Sequence, residues 1–408
     1  MFGSLSEWIL HWGLRSNTVT DPDGASIRQE HIELTVIPEW DSLSEDIWDY
    51  IFQRVDEYDF DAISRTCKLF LSLTDRSRTM LTIFDQTVAV GILRRCRNIK
   101  RINVHRRMRG DPNLLLHDIS TSGVAIEALH LSSQEFPSSS VREAGEGTLG
   151  RTLKILICKS IRWPLMDKDL FAISEAFPAL EELEIDWGHY VTDAGIEALA
   201  SKLAHLRKIN VSWCCRVSDA SLSALSSDCA SLSEVHLPHC GSLSGDGIAS
   251  FIAQKPKLVS FSVIIYDFPG FAGGKSLQCL HINSSFLSDD NLHSIAESRL
   301  PLRELCLPFC HGFSLTGLDM LLQAYPSLSR VDFTWFDILT DESMALLASH
   351  LREVTTIDLS YCSKLSKLTF MCLVKCCPLL EELQMEGLVL VGVVPSVLLL
   401  CETAKSTP

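Results

Sequence analysis

The chain has 408 residues, of which 46% are hydrophobic and 21% charged, a composition typical of a folded globular protein. Asp and Glu outnumber Lys and Arg by 51 to 36, and the resulting net charge of -15 argues against a nucleic-acid-binding protein, which needs cations to neutralise phosphates. The longest apolar run, 388–400, is shorter than the roughly 20 residues that cross a bilayer, so no membrane segment is expected. The first residues lack the basic start of a secretory signal, so we expect a protein of the cytoplasm or nucleus whose 15 cysteines are reduced.

The first predicted element is a small helical module at residues 39–85, which follows an N-terminal tail at residues 1–38. Ile47, Ile51 and Val55 recur every four residues, a spacing that places one apolar stripe along a helix. Helices this short bury little surface on their own. We therefore expect the module to pack against a partner or against the repeats that follow.

Residues 86–387 are built on one recurring phrase: an apolar residue, two variable residues, a second apolar residue, one variable residue and a third apolar residue. Successive clear copies are 26 residues apart, except for one step of 19 and one of 25. Their first apolar positions are Leu180, Leu206, Leu232, Leu258, Leu277, Leu302, Leu328, Val354 and Leu380. Repetition at such a period is the signature of a solenoid.

Each phrase alternates apolar and variable residues, which predicts a short strand, and a segment with helical spacing follows it. One such unit cannot bury its own apolar side, so neighbouring units must stack. The sequence therefore predicts an α/β fold: a curved solenoid with parallel strands on the concave face and helices on the convex face.

Three segments interrupt this pattern. Residues 132–148 are polar and rich in Ser and Gly, and we predict a flexible insertion there. The repeat at 258–276 is shortened and has no helical segment. Residues 388–408 lack the polar outer face of a terminal cap and are predicted as an irregular tail or a truncated cap.

A cysteine stands eight residues after the first apolar position in four repeats. These residues are Cys214, Cys240, Cys310 and Cys362. They could serve metal or redox chemistry, or each could fill a buried loop corner as a small hydrophobic residue. The second interpretation is favoured, because no CxxC pair of the kind that marks zinc is present. We predict no metal, no cofactor and no catalytic residue.

With this cysteine position, the repeats resemble leucine-rich repeats of the cysteine-containing class. The helical module resembles an F-box, the motif that docks ubiquitin-ligase receptors on a Skp-family linker protein. The resemblance rests on Leu43, Ile47, Ile51, Phe52, Val55, Asp59, Ser64, Cys67 and Lys68. Two positions depart from the family: Ser44 stands where Pro is usual, and Phe70 stands where Trp is usual.

The F-box resemblance implies a set of linker-binding residues. They are Leu43, Ser44, Ile47, Ile51, Phe52, Val55, Cys67 and Phe70. It also implies that the chain reaches a cullin-RING assembly through this linker.

The candidate substrate-binding residues lie on the concave face, on the strands or just after them. They are Glu184, Trp187, Asn210, Trp213, His236, His239, Phe309, Trp335 and Tyr361. Most of them form an aromatic row seven residues after each first apolar position, suited either to partner contact or to local packing beside the cysteines. Glu182, Glu184 and Asp186 predict an acidic early concave face that would suit a partner with a basic patch.

The sequence therefore predicts a non-catalytic substrate receptor of a Skp-cullin-F-box ubiquitin ligase, which brings an unknown protein to proteasomal degradation. Two alternatives remain open. One is a ligand-assisted F-box receptor, supported by the basic cluster at 94–109 and the shortened repeat. The other is a ligase-independent repeat scaffold, supported by Ser44 and Phe70.

Overall fold

A computed structural model describes residues 43–388 of the chain, except 53, 133–135, 160–164, 241, 265–270 and 272, and except the side chains of residues 45 and 58. The tail assigned to residues 1–38 lies outside this part of the chain, and so does the C-terminal tail beyond residue 388. In the described ranges, no helix has the length and apolar character needed to cross a membrane.

The chain begins its described part with a helical module. Its elements are α1 (Glu45–Phe52), a 3-10 turn (Glu57–Asp59), α2 (Phe60–Ile63) and α3 (Lys68–Ser77). Trp48, Phe52 and Phe60 are buried in a core of their own, against which the ring of Phe70 packs 5.3 Å from that of Trp48. Cys67 caps the start of α3, where its Sγ accepts a hydrogen bond from the backbone N–H of Phe70.

Over the described residues, the module leads into a single sheet of thirteen parallel strands, in which every strand pairs with the next one in sequence. The strands are β1 (Met80–Asp85), β2 (Arg101–Arg109), β3 (Ala128–Ser132), β4 (Ile155–Lys159), β5 (Glu182–Ile185), β6 (Lys208–Val211), β7 (Glu234–Leu237), β8 (Ser260–Val263), β9 (Cys279–Ile282), β10 (Glu304–Cys306), β11 (Arg330–Asp332), β12 (Thr356–Asp358) and β13 (Glu382–Gln384). Sequential parallel pairing of this kind is the arrangement of a solenoid.

Helices connect most of these strands. They are α4 (Gln86–Arg95), α5 (Pro112–Thr121), α6 (Val141–Glu146), α7 (Leu149–Thr152), α8 (Asp167–Ala176), α9 (Asp193–Lys202), α10 (Asp219–Asp228), α11 (Gly245–Gln254), α12 (Asp289–Glu297), α13 (Leu315–Ala324), α14 (Asp341–Leu347) and α15 (Lys367–Cys376). A short 3-10 turn, Ala348–His350, follows α14.

The alternation of each strand decides which side chains enter the core. In β6, Ile209 and Val211 are fully buried, whereas Lys208 and Asn210 are half-buried on the opposite side of the strand. The inward residues of all strands join the apolar residues of the helices in one continuous core. This confirms the predicted α/β solenoid. We call the side of the sheet that carries Lys208 and Asn210 the open face.

The structure differs from the sequence prediction at the start of the repeats. Strand β1, Met80–Asp85, pairs with β2 and belongs to the sheet, although the sequence placed residues up to 85 in the helical module. The reason is that Leu81 and Ile83 alternate with more exposed residues and enter the solenoid core.

The predicted flexible insertion at 132–148 is folded over the part that the structure describes. It contains helix α6, where Val141 and Ala144 are buried, and Phe136 also enters the solenoid core. These apolar residues lie where the repeat helix is expected, between β3 and β4. The polar composition of the segment gave no sign of their burial.

The shortened repeat keeps its strands. Strands β8 and β9 pair in register, and no helix lies between them among residues 264, 271 and 273–278, which the structure describes. Phe271 is fully buried there and supplies apolar volume to the core.

The helical module is fastened to the solenoid by Glu57. One carboxylate oxygen of Glu57 accepts a hydrogen bond from the backbone N–H of Thr79 at 2.9 Å and another from the Thr79 hydroxyl. The other oxygen accepts from the backbone N–H of Met80 at 2.8 Å, at the first residue of β1. Hydrogen bonds to a charged acceptor are stronger than neutral ones, so Glu57 fixes the module against the sheet.

Candidate protein-binding site

The open face carries two continuous rows of side chains, because the pairing register keeps equivalent residues in line across the sheet. The first row is Met80, Arg101, Ala128, Ile155, Glu182, Lys208, Glu234, Ser260, Cys279, Glu304, Arg330, Thr356 and Glu382. The second row is Thr82, Asn103, His130, Ile157, Glu184, Asn210, His236, Ser262, His281, Cys306, Asp332, Asp358 and Gln384.

Glu184 lies near the middle of the second row and is 9% exposed. Its two carboxylate oxygens contact the ammonium groups of Lys159 and Lys208, each at 3.1 Å. Burial works to raise the pKa of Glu184, but the hydrogen bonds from the two lysines outweigh it and lower the pKa. The carboxylate is therefore charged and internally neutralised, so the early open face is less acidic than the sequence indicated.

His236 and His281 flank Ser262 in the second row, and their ring centroids are 6.5 Å apart. Burial lowers the pKa of each imidazole, and the proximity of His281 lowers the pKa of His236 further. Both rings are therefore neutral at pH 7. The Nε2 atom of His281 and the Oδ1 atom of Asn210 are buried and have no hydrogen-bond partner among the described residues.

The aromatic row lies at the rim of the open face, two or three residues after the strands end. Its members share a left-handed backbone, with φ values between 59° and 66°. They are Trp187, Trp213, His239, Phe309, Trp335 and Tyr361. A left-handed conformation costs a residue with a side chain roughly 1–2 kcal/mol. The fold itself would thus favour Gly or Asn at these positions.

The aromatic row is divided into two ladders of stacked rings. In the first, Trp213 stacks between Trp187 at 5.3 Å and His239 at 4.0 Å, measured between ring centroids. In the second, Trp335 stacks between Phe309 at 5.8 Å and Tyr361 at 5.3 Å. We call the second set the C-terminal ladder.

Both ladders are accessible to a partner. Trp187, Phe309 and Trp335 expose nearly half of their side-chain surface, at 47–49%. Side chains of this size are seldom exposed in rows on a monomer, and large exposed apolar patches mark interaction sites. The structure therefore brings most of the sequence-predicted candidates together along one edge of the sheet, with Glu184, Asn210 and His236 on the strands beside them.

The residues predicted to bind a Skp-family linker divide by exposure. Ser44, Ile47 and Cys67 are exposed, and Ile47 shows 46% of its surface. Leu43, Ile51, Val55 and Phe70 are half-buried. Phe52 is 4% exposed in the core of the module, so its contribution is to packing.

The four repeat cysteines are buried at corners between neighbouring repeats. The thiols of Cys240, Cys310 and Cys362 donate to backbone carbonyls of the preceding repeat at 3.1–3.3 Å. Burial raises the pKa of Cys310 to about 12 and that of Cys362 to about 11, so both thiols are protonated. This geometry is that of small core residues, the interpretation favoured from the sequence.

Sequence reasoning missed several residues of the site. Lys159 was not singled out, because its role depends on the register that places it beside Glu184. Glu57 and Trp48 were also missed. The sequence analysis also did not identify Asp332 and Asp358 as direct neighbours, because that depends on the pairing register of β11 with β12.

Comparison with known proteins bears on the fold. Residues 202–226 match the family model described as Leucine Rich repeat, so a leucine-rich repeat is present in this segment. No curated protein matches the sequence. Among solved structures, a chain of the yeast Rad7 and Elc1 complex is similar, with a TM-score of 0.49 and 14% identity over 78% of this chain and 89% of that one. An internalin (InlF) from Listeria monocytogenes is similar with a TM-score of 0.41 and 14% identity over 81% of this chain and 88% of that one.

Proposed function

We propose that this protein is the substrate-recognition subunit of a Skp-cullin-F-box ubiquitin ligase, which presents a bound protein for ubiquitination and proteasomal degradation. The observation that supports this most is the direct attachment of an F-box-like helical module to a solenoid whose rim carries exposed aromatic ladders. In this role the chain acts by binding alone, with no catalytic residue and no cofactor of its own.

The proposed linker contact is centred on Ile47. This side chain is 46% exposed on α1, while the opposite side of the helix holds Trp48 and Phe52 in the core. About half of the Ile47 surface is therefore open to a partner. Burial of this surface against the linker would stabilise the complex.

The attachment through Glu57 gives the proposal its mechanism. A module fixed to the first strand would hold the open face at one distance and orientation from the linker and from the cullin assembly beyond it. Substrate lysines would then stay close to a ubiquitin-charged conjugating enzyme. Their effective concentration would rise without any new chemistry from this chain.

The proposal is tested by co-purifying the full chain with a Skp-family linker and a cullin, beside the variant Ile47→Asp. Because Ile47 lies outside the core, this variant keeps the module folded, whereas a change at Phe52 would not. The matched control is Leu346→Asp, since Leu346 is 66% exposed on α14, far along the solenoid.

We expect capture of the linker by the unmodified chain and by Leu346→Asp, and a loss of at least about tenfold in Ile47→Asp, the effect of one buried anchor residue. Failure of the unmodified, folded chain to capture the linker would overturn the ligase assignment. The protein would then be a repeat scaffold that binds partners outside a ligase.

A further inference from the structure

The charges of the open face are balanced in its middle and unbalanced at its C-terminal end. In the middle, Glu184 is paired with Lys159 and Lys208, and Glu234 lies 3.8 Å from Lys208. With Glu182 of the first row included, three carboxylates stand against two lysines there, so the middle of the open face is close to neutral.

Strands β10–β13 carry four carboxylates in the two rows of the open face, and the turn after β13 carries a fifth. They are Glu304, Asp332, Asp358, Glu382 and Glu386. In the described part of the chain, none of them forms an ion pair with a lysine or arginine, and Arg330 is the one cation in the rows of these four strands. This end of the open face is therefore net negative.

Asp332 and Asp358 are direct neighbours in register on β11 and β12. Adjacent strands lie about 4.8 Å apart, and like charges directly opposite each other destabilise a sheet. One oxygen of each is used in its own turn: Asp332 Oδ1 accepts from the backbone N–H of Thr334, and Asp358 Oδ1 accepts from that of Ser360, each at 2.9 Å. Those turns need an oxygen but not a charge, so the two charges are unexplained by the fold.

The C-terminal ladder runs beside these carboxylates. Trp335 donates its backbone N–H to the carbonyl of Ser360, and Tyr361 donates to the carbonyl of Glu386. The next residue in the row is Gly387, whose backbone lies against the ring of Tyr361, since a Cβ atom there would overlap a ring carbon. Tyr361 still exposes 43% of its surface. Aromatic faces attract guanidinium and ammonium groups, and the alkyl stems of Arg and Lys pack on apolar surface while their charged ends reach carboxylates.

We propose that this surface, Asp332, Asp358 and Glu386 with the C-terminal ladder, binds an extended segment of another protein that is rich in Arg and Lys. The segment's cations neutralise the opposed carboxylates, and their stems lie along the ladder. The inference adds the class of bound partner to the proposed function. It rests on the proposed function only in treating that partner as a substrate of the ligase.

The test measures binding of a fluorescent peptide of alternating arginine and serine to the full chain by anisotropy. The first variant is Asp332→Asn with Asp358→Asn, which keeps the oxygens that the turns require and removes both charges. The second is Tyr361→Leu, which shortens the ladder. The control is Glu181→Gln, because Glu181 is an acid paired with Lys154 at 3.1 Å and stands outside the two rows.

We expect the peptide to bind the unmodified chain, to lose about tenfold in affinity in the double variant and several-fold in Tyr361→Leu, and to stay within about twofold in Glu181→Gln. The double variant should melt at the same temperature as the unmodified chain or higher, because it removes a repulsion. A folded double variant that binds with unchanged affinity, or a loss of the same size in Glu181→Gln, overturns the inference.

Two further outcomes would also overturn it. Equal binding of a glutamate–serine peptide would show that charge does not select the partner. A dimer of the unmodified chain that the double variant dissolves, measured by light scattering, would show that the occupant is a basic strand of a second copy. Linker capture is measured on the same samples, so failure of this inference is distinguished from failure of the ligase assignment.

Discussion

Asp193 and Ser218 join consecutive repeats: one carboxylate oxygen of Asp193 accepts a hydrogen bond from the backbone N–H of Ser218 at 2.8 Å, and the other accepts from its hydroxyl at 2.7 Å. Ser218 in turn caps helix α10. The same relationship recurs along the solenoid, in the pairs Asp167–Thr192, Asp219–Ser244, Asp289–Ser314 and Asp341–Ser366. The aspartate that begins one helix thus fixes the start of the next.

Replacement of this aspartate should weaken the solenoid measurably. Asp193→Ala removes the two bonds to Ser218 and two more to Ser221, and we expect a loss of about 2–3 kcal/mol in the free energy of unfolding. The control is Asp246→Ala, at an exposed aspartate of the first turn of α11, which should cost less than about 1 kcal/mol. Urea denaturation followed by circular dichroism measures both, and equal losses would contradict the role of the inter-repeat bonds.

The contribution of Asp193 should depend on pH. Burial works to raise the pKa of Asp193, but hydrogen bonds from Ser221 and Ser218 outweigh it and hold the pKa below its ordinary value. A lowered folded-state pKa gives stability that is present above the unfolded pKa of about 3.9 and is lost as pH falls through the folded value. The stability difference between the unmodified chain and Asp193→Ala should therefore be constant near neutrality and shrink below about pH 4.

Ser218 and Ser221, which donate hydrogen bonds to Asp193, provide the control for this pH dependence. In a background of Ser218→Ala with Ser221→Ala, the two hydroxyl bonds are gone and the two backbone N–H bonds remain, so the difference should vary less with pH. Denaturation curves at several pH values measure it. An unchanged pH dependence in that background would mean that other groups are responsible.

The cysteines should divide sharply by reactivity. Cys67 and Cys215 are exposed, whereas Cys310 and Cys362 are buried and their thiols donate to carbonyls. Because the thiolate is the reactive form, a thiol that is buried and has a raised pKa is protected. Brief treatment of the native chain with iodoacetamide should label the first pair, and the second pair should be labelled after unfolding in urea. Rapid labelling of Cys310 in the native chain, detected by mass spectrometry, would contradict this packing.

The repeat period was readable from the sequence because burial imposes it: every Leu that opens a phrase must reach the same core. The folded structure of the insertion at 132–148 was not readable from the sequence. The burial of Val141 and Ala144 depends on the space between β3 and β4, which composition does not reveal. Charge pairing was likewise hidden. Lys159 and Glu184 are 25 residues apart in sequence, and the pairing of β4 with β5 brings them together, because Ile157 lies opposite Glu184 and Lys159 is two residues further along the same strand.

Loss of the Glu57 carboxylate should loosen the helical module without unfolding the repeats. Glu57→Ala removes the acceptor for Thr79 and Met80, and we expect the module to lose about 2 kcal/mol of local stability. The control is Asp61→Ala, because Asp61 pairs with Arg78 at 2.8 Å but is 74% exposed, and such ion pairs contribute about 0–1 kcal/mol. Hydrogen exchange of residues 45–77 should accelerate in the first variant and hardly change in the second. Equal protection in both would show that the apolar contacts of the module suffice.

Trp335 and Phe336 are adjacent in sequence but should differ widely in their effect on stability. Trp335 is 48% exposed with φ of 66°, so Trp335→Gly relieves a backbone cost of roughly 1–2 kcal/mol while losing two ring stacks of about 0.5–1.5 kcal/mol each. The net change should therefore lie between a gain of about 1 kcal/mol and a loss of about 2 kcal/mol. Phe336 is 1% exposed in the core, and Phe336→Ala should cost about 3–5 kcal/mol. Chemical denaturation measures both variants. A large loss of unfolding free energy in Trp335→Gly would mean that the ladder holds the solenoid together. A small loss would instead favour partner binding as the reason for an aromatic residue at a position that suits glycine.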